Sequence, residues 1–380
     1  MAKRKHNEFI TPRQYVRDRD EQIRSDRGWL LILDNDDFNG VDSLAKRVVK
    51  EYESLLETNG EHILNVPFID YSLDSFGEKG PLVRTFEDSE TCPRIPTHIA
   101  GSDAYLFASS HEFITDRTVN DNIYRLFQTV RTLKSHGANN ITVVSPYLPY
   151  ARQDKPSFSK RECTGAKLFA DLLYGSGANG ILFYDPHNET LRGFFEPNIR
   201  VTTLSGLDLF VDIYSRFKKN LETVCVSTDA GGSKPIIRMA GLLELAYAIG
   251  NKYRPEQEKV EKIGIIGEVK GKKTALLSDD ETVTFKSLLG IASGLKEDYG
   301  VKETYVALSH MKLTRKNISR MIDAHENYGV KEVHITDSIP QSNELLSLDF
   351  VKVHPLAERV MYTINRLHYD RSITALYHRI

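Results

Sequence analysis

Short apolar runs recur along this chain, and between them lie longer stretches whose apolar residues keep helical spacing. The runs are Trp29–Leu33, Ala104–Ala108, Ile141–Ser145, Gly180–Tyr184, Thr223–Ser227, Thr274–Leu277, Thr304–Leu308 and Glu332–Ile335. Most are rich in Val, Ile, Leu and Tyr, as buried strands are. Asn120–Ser135 and Gly165–Tyr174 are among the helical stretches. Strands that alternate with helices in this way predict a parallel sheet covered on both faces. The alternation runs twice, through residues 28–204 and 205–358. The expected fold is therefore α/β, with two similar doubly wound parallel-sheet domains. A length of 380 residues accommodates two such halves.

Residues 1–27 precede the pattern as a charged, polar extension. A mobile arm and an arm that packs in an oligomer are both open, and the mobile arm is the simpler reading. This extension lacks the apolar stretch of a secretory signal. No apolar run reaches the length of a membrane-spanning helix, so no membrane association is expected. The net charge of −2 gives no broad basic face, and no nucleic-acid partner is expected. Cys92, Cys163 and Cys225 are an odd set without metal-ligand spacing. They read as free thiols of a reducing compartment, which places the protein in the cytoplasm.

Most of the apolar runs end in polar or small residues, where open α/β sheets carry their ligands. VSPYLPYARQD (144–154) presents Arg152, Gln153 and Asp154 after a Pro-containing turn, with Lys155, Lys160 and Arg161 following. The planar fork of Arg152 suits a polyphosphate. YDPHN (184–188) puts Asp185 and His187 at one strand end, and STDAGG (227–232) puts Asp229 at another. An imidazole and a carboxylate can share a Mg²⁺ that also holds phosphate oxygens. In LLSDDETVTFKSLL (276–289), Asp279 and Asp280 read either as acceptors for sugar hydroxyls or as acids capping a helix. NDDFNG (35–40) mimics the start of a calcium loop, but Lys46 stands where a bidentate Glu is needed, which excludes that site. The chain has no P-loop and no dinucleotide fingerprint.

Taken in order, these segments resemble the ribose-phosphate pyrophosphokinase family, also called phosphoribosyl pyrophosphate synthetase, over residues 84–380. The resemblance is carried by FEDSETCPRIPTHIAGSD (86–103), PYARQDK (149–155), DPHNETLRGFF (185–195), STDAGG, NKYRP (251–255), TDSIPQS (336–342) and SITALY (372–377). It implies a type I phosphoribosyltransferase-like fold. The first half, joined by residues 359–380, would be the ATP side, and the second half the ribose acceptor side. It implies transfer of the β,γ-diphosphate of ATP to the anomeric hydroxyl of a ribose, with release of AMP and with Mg²⁺ as cofactor. Phe86, Asp88 and Glu90 would hold adenine, with Phe86 stacking. Arg152, Gln153 and Asp154 would form the ATP phosphate segment. His187 and Asp229 would bind Mg²⁺. Lys252 and Arg254 would be catalytic, neutralising charge on the transferred group. The resemblance also implies a homo-oligomer, dimeric or hexameric.

The acceptor loop departs from the family's DDxxDTGGT. Its residues here are Asp279, Asp280, Glu281, Thr282, Val283, Thr284, Phe285, Lys286 and Ser287. Both glycines are replaced, and side chains there are expected to block the close approach of backbone amides to a terminal phosphate. An acceptor whose 5-phosphate is itself esterified, such as ADP-ribose, avoids that block. Asp279, Asp280, Thr284 and Ser287 would then hold the ribose phosphate. Phe285 would stack on the adenine of ADP-ribose and Lys286 would meet its diphosphate. In this respect the chain resembles the ADP-ribose pyrophosphate synthetases of phage NAD⁺-rebuilding pathways. The alternatives are ordinary ribose 5-phosphate turnover and a non-catalytic regulatory subunit, the latter disfavoured by Lys252 and Arg254. KRECTGAK (160–167) and KLTRKN (312–317) replace the family's regulatory phosphate segments, so a changed regulation is expected.

Overall fold

A computed structural model describes residues 29–33, 44–59, 68–69, 83–95, 98–111, 117–157, 159–253 and 262–374. The extension 1–27, the NDDFNG segment and Arg254 lie outside these residues. The chain divides into two compact units, Met1–Leu204 with Pro355–Ile380, and Ser205–His354.

The first unit runs β1 (Trp29–Leu33), α1 (Leu44–Thr58), β2 (Phe68–Ile69), β3 (Val83–Thr85), β4 (Thr91–Pro93), β5 (Asp103–Phe107), α2 (Val119–Ser135), β6 (Asn140–Val144), α3 (Gly165–Ser176), β7 (Gly180–Tyr184) and β8 (Arg200–Leu204). Six strands form a sheet in the order β2-β1-β5-β6-β7-β8, and every pairing is parallel. β3 and β4 form a separate antiparallel hairpin. The central strands are apolar at nearly every position: all five residues of β7 are buried. That is the composition of a strand covered on both faces.

The second unit continues with α4 (Leu207–Tyr214), β9 (Thr223–Ser227), α5 (Ser233–Leu243), β10 (Ala246–Tyr253), β11 (Lys262–Gly267), β12 (Thr274–Thr282), α6 (Lys286–Glu297), β13 (Glu303–Met311), α7 (Ile318–Asn327), β14 (Val330–Thr336), α8 (Asn343–Leu346) and β15 (Val351–His354). Its sheet has the order β11-β10-β9-β12-β13-β14-β15, parallel except for the β10–β11 pair. Alternation along the strands builds two cores. Val224, Val226, Ala275, Leu277, Val306 and Leu308 face α6 and α7. Cys225, Leu276 and Ala307 face α4 and α5. A period of two along each strand sends neighbours to opposite faces. The last helix, α9 (Ala357–His368), belongs to the first unit, where Val360, Met361 and Ile364 join the core.

The three thiols are free, and Cys225 is buried. Burial pushes its thiol up to about 12. No helix among the described residues is long and apolar enough to cross a membrane.

Candidate functional site

In the first unit the β3–β4 hairpin carries Phe86 at its turn. The turn is closed by the Glu90 carbonyl, which accepts from the Phe86 amide at 2.8 Å, and by Asp88 Oδ1, which accepts from the Glu90 amide at 3.0 Å. Ser89 takes the left-handed conformation, with φ of 73°. Helix α2 anchors the hairpin through Gln128, whose Nε2 donates to the Thr91 carbonyl at 2.9 Å. Phe86 is left 52% exposed at the tip of this turn.

The segment after β6 is tightly built. Ser145 Oγ donates to the Tyr147 carbonyl at 2.8 Å, and the Tyr184 amide donates to the Pro146 carbonyl at 2.9 Å. Tyr150 turns the chain at φ of 60°, its hydroxyl bonded to Asn120 at the start of α2. Arg152 and Gln153 emerge exposed. A Cβ at Gly165 would stand 2.5 Å from Gln153 Oε1, the far end of a flexible, exposed side chain. Asp154 has a local role, since its Oδ2 accepts from Asn188 Nδ2 at 3.1 Å. That bond ties this segment to the YDPHN turn, where His187 is exposed and Asp185 is left-handed at φ of 43°.

In the second unit, the turn after β9 holds Asp229. Its Oδ1 accepts from the Gly231 amide at 2.9 Å and the Gly232 amide at 3.3 Å. Thr228 donates its hydroxyl to Asp279 Oδ2, and the Asp280 amide donates to Asp279 Oδ1 at 3.0 Å. Burial, then the Asp280 and Asp229 carboxylates, push Asp279 well above the usual carboxylate range. Asp279 and Asp280 lie inside β12, whereas α6 begins only at Lys286. The helix-capping reading of the acidic pair is thereby excluded, because they are several residues from the first helical turn.

Phe285 corrects the sequence reading of the acceptor loop. Its side chain is 0% exposed and packs in the core beneath α6, so it cannot stack on a ligand. Its backbone is left-handed, with φ of 58° and ψ of 4°, the geometry a glycine would supply. With the ring turned into the core, Phe285 does not obstruct the turn as the substitution suggested. Thr284 and Lys286 are exposed and Ser287 is half-buried. The first-turn amides of α6 have no intrahelical acceptors and point outward from that end. Lys252 stands near the end of β10, opposite Ile263.

Sequence reasoning missed two groups here. Arg320 Nη1 donates to the Thr284 carbonyl at 3.1 Å. Lys312 Nζ lies 2.5 Å from Glu281 Oε2, and both side chains are buried. A signal existed for Glu281 alone, a charge inside the β12 strand; Lys312 follows β13 and Arg320 lies on α7.

Two largely parallel sheets whose strands end in polar residues, a basic turn in one unit and an acidic strand end in the other, place this chain among α/β proteins that carry their ligands beyond the strand ends. The comparisons agree. Residues 74–177 match the N-terminal domain of ribose phosphate pyrophosphokinase. The chain is 34% identical to the ribose-phosphate pyrophosphokinase of Oceanobacillus iheyensis over 296 residues, covering 78% of this chain and 88% of the relative. It is also 34% identical to that of Bacillus subtilis over 299 residues, with the same coverage. The crystal structure of phosphoribosylpyrophosphate synthetase from Mycobacterium smegmatis superimposes with a TM-score of 0.71 at 25% identity, covering 90% of this chain and all of that one. The chain belongs to the ribose-phosphate pyrophosphokinase family, whose members are diphosphotransferases.

Proposed function

We propose that this chain transfers the β,γ-diphosphate of ATP to the C1 hydroxyl of ribose 5-phosphate. The hydroxyl oxygen attacks the β-phosphorus, the bond from that phosphorus to the α,β-bridging oxygen breaks, AMP leaves and the hydroxyl proton is released. Kinship along 88% of a curated relative's length supports the reaction. The observation that carries the acceptor is Phe285, whose buried ring and left-handed backbone leave the turn shaped as glycine would shape it.

In this reading Phe86 stacks on adenine, with Asp88 and Glu90 as its hydrogen-bond acceptors. Arg152 and Gln153 grip the phosphates, and Asp154 holds their segment through Asn188. Asp279 and Asp280 take the ribose hydroxyls. Thr284, Lys286 and Ser287 take the 5-phosphate. Lys252 and Arg254 neutralise charge that develops on the transferred group. The carboxylates of Asp229, Asp279 and Asp280 crowd one another, which is the environment a divalent cation relieves, so this donor set fits Mg²⁺. Asp229 would hold it, and it would supply charge neutralisation on the phosphate oxygens. Assembly into a homo-oligomer, dimeric or hexameric, belongs to the same reading.

A second reading keeps the reaction and changes the acceptor to a ribose with an esterified 5-phosphate, such as ADP-ribose. It is favoured by Lys286 in place of glycine and by exposed Arg315 and Lys316 in the next loop, cations suited to a further phosphate. The two are separated by incubating the protein with ATP, Mg²⁺ and either acceptor, then identifying the products by mass. Faster turnover of ribose 5-phosphate supports the first reading, and faster turnover of ADP-ribose the second. A regulatory, non-catalytic role predicts no AMP with either acceptor.

A further inference from the structure

We propose that the buried Glu281–Lys312 ion pair is a positioning device for the acceptor loop, residues 282–287, and that it sets affinity for the acceptor ribose without setting affinity for ATP. The proposal rests on the reading of this loop as the ribose site. The two side chains are 5% and 6% exposed, with Nζ and Oε2 2.5 Å apart. Removing both charges from water is costly, and well-packed apolar residues of similar volume usually serve stability as well or better. A pair retained at such a place therefore points to geometry.

The geometry is local and specific. β12 and β13 run parallel, with Glu281 opposite His310 and Thr282 opposite Met311. Lys312 is the next residue, and its amide donates to the Thr282 carbonyl at 2.9 Å. One residue thus grips two consecutive positions of β12, by side chain and by backbone. Glu281 shares a strand face with Asp279, two residues earlier. Fixing Glu281 fixes how the end of β12 is rotated, and so where Asp280 and the loop are presented. Beyond it, the Phe285 amide donates to Thr282 Oγ1 at 3.2 Å. Arg320 fastens Thr284 from α7, itself held by Asn317 Oδ1 at 2.6 Å. The loop keeps its left-handed turn without glycine because its two ends are pinned.

The test uses the full chain with Glu281→Met/Lys312→Met, which replaces the pair by apolar side chains, and with Glu281→Lys/Lys312→Glu, which restores it reversed. Glu281→Gln/Lys312→Met, which likewise leaves no buried charge, serves the same comparison if the double methionine variant does not fold. Hydrogen exchange of the amides at 282–289 is expected to accelerate about tenfold in the uncharged variants, while β9 amides stay unchanged. The KM for the acceptor is expected to rise by about tenfold, with the ATP KM and kcat within about twofold, and the reversed pair to recover most of the loss. A folded uncharged variant with unchanged loop exchange, or with ATP KM rising in step with acceptor KM, overturns the proposal. If the wild-type protein turns over no ribose acceptor, the reading of the loop fails, and the exchange comparison alone still decides whether the pair positions it.

Discussion

Thr228 donates its hydroxyl to the Asp279 carboxyl, joining the turn after β9 to the end of β12. The bond partly offsets a hostile setting, because burial and the Asp280 carboxylate both favour the protonated form of Asp279. A carboxyl whose native pKa exceeds its unfolded value near 4 binds more protons in the folded state between those two values. Stability is therefore lost as pH rises through that window. Asp279→Asn, in metal-free buffer, is expected to raise the melting temperature, by more at pH 8 than at pH 5, and to reduce turnover. Equal gains at both pH values would contradict this.

Phe285 makes the acceptor loop dependent on the core. Its ring is buried and its backbone left-handed, a conformation that costs a non-glycine residue about 1–2 kcal/mol. Phe285→Ala is expected to lower unfolding stability by about 3–5 kcal/mol, through the lost ring and the cavity left behind. Chemical denaturation measures it. A loss below about 1 kcal/mol would mean the ring is not seated as described.

His334 gives the second unit an acid-sensitive point. Burial, then the neighbouring His354, hold its imidazole down to about 4, against the opposing pull of Glu332. His334 Nδ1 lies 3.0 Å from His354 Nε2. Here the unfolded chain binds the extra proton, so stability is full above about 6.5 and is lost as pH falls toward about 4. His334→Phe, placed beside Tyr214, is expected to flatten that decline in thermal melts. A wild-type melting temperature that stays constant from pH 7 to pH 4 would contradict it.

The fold was largely legible. The runs at Trp29–Leu33, Gly180–Tyr184 and Thr223–Ser227 coincide with β1, β7 and β9, and β7 and β9, buried at every position, show that strands covered on both faces need apolar residues throughout. β10 and β11 escaped that reading: Gly250, Asn251 and Lys252 break the apolar run of β10, and β11 is a short edge strand interrupted by Gly264. The strand extent of β12 was hidden for a related reason: Asp279 to Thr282 are polar, and their pairing with β13 overrides their composition. The acceptor loop misled in the opposite direction. Two lost glycines implied a blocked turn, but where the ring of Phe285 points depends on tertiary packing that no single-sequence pattern reports.

Arg152 emerges exposed from a turn that Ser145 Oγ closes on the Tyr147 carbonyl. Arg152→Ala is expected to cut kcat/KM for ATP by about 10- to 100-fold, through lost charge-assisted bonds to phosphate, with thermal stability within about 0.5 kcal/mol of wild type. Undiminished ATP turnover would remove Arg152 from the site.

Diphosphate transfer to C1 of ribose 5-phosphate is measured most directly by AMP release. With ATP, Mg²⁺ and ribose 5-phosphate, the wild-type chain is expected to release AMP in step with a ribose 1-diphosphate product, faster than with ADP-ribose. Lys252→Ala is expected to lose that release while melting as the wild type does. AMP release that ADP-ribose supports better than ribose 5-phosphate would contradict the acceptor, and a folded wild-type protein that releases no AMP with either would contradict the reaction itself.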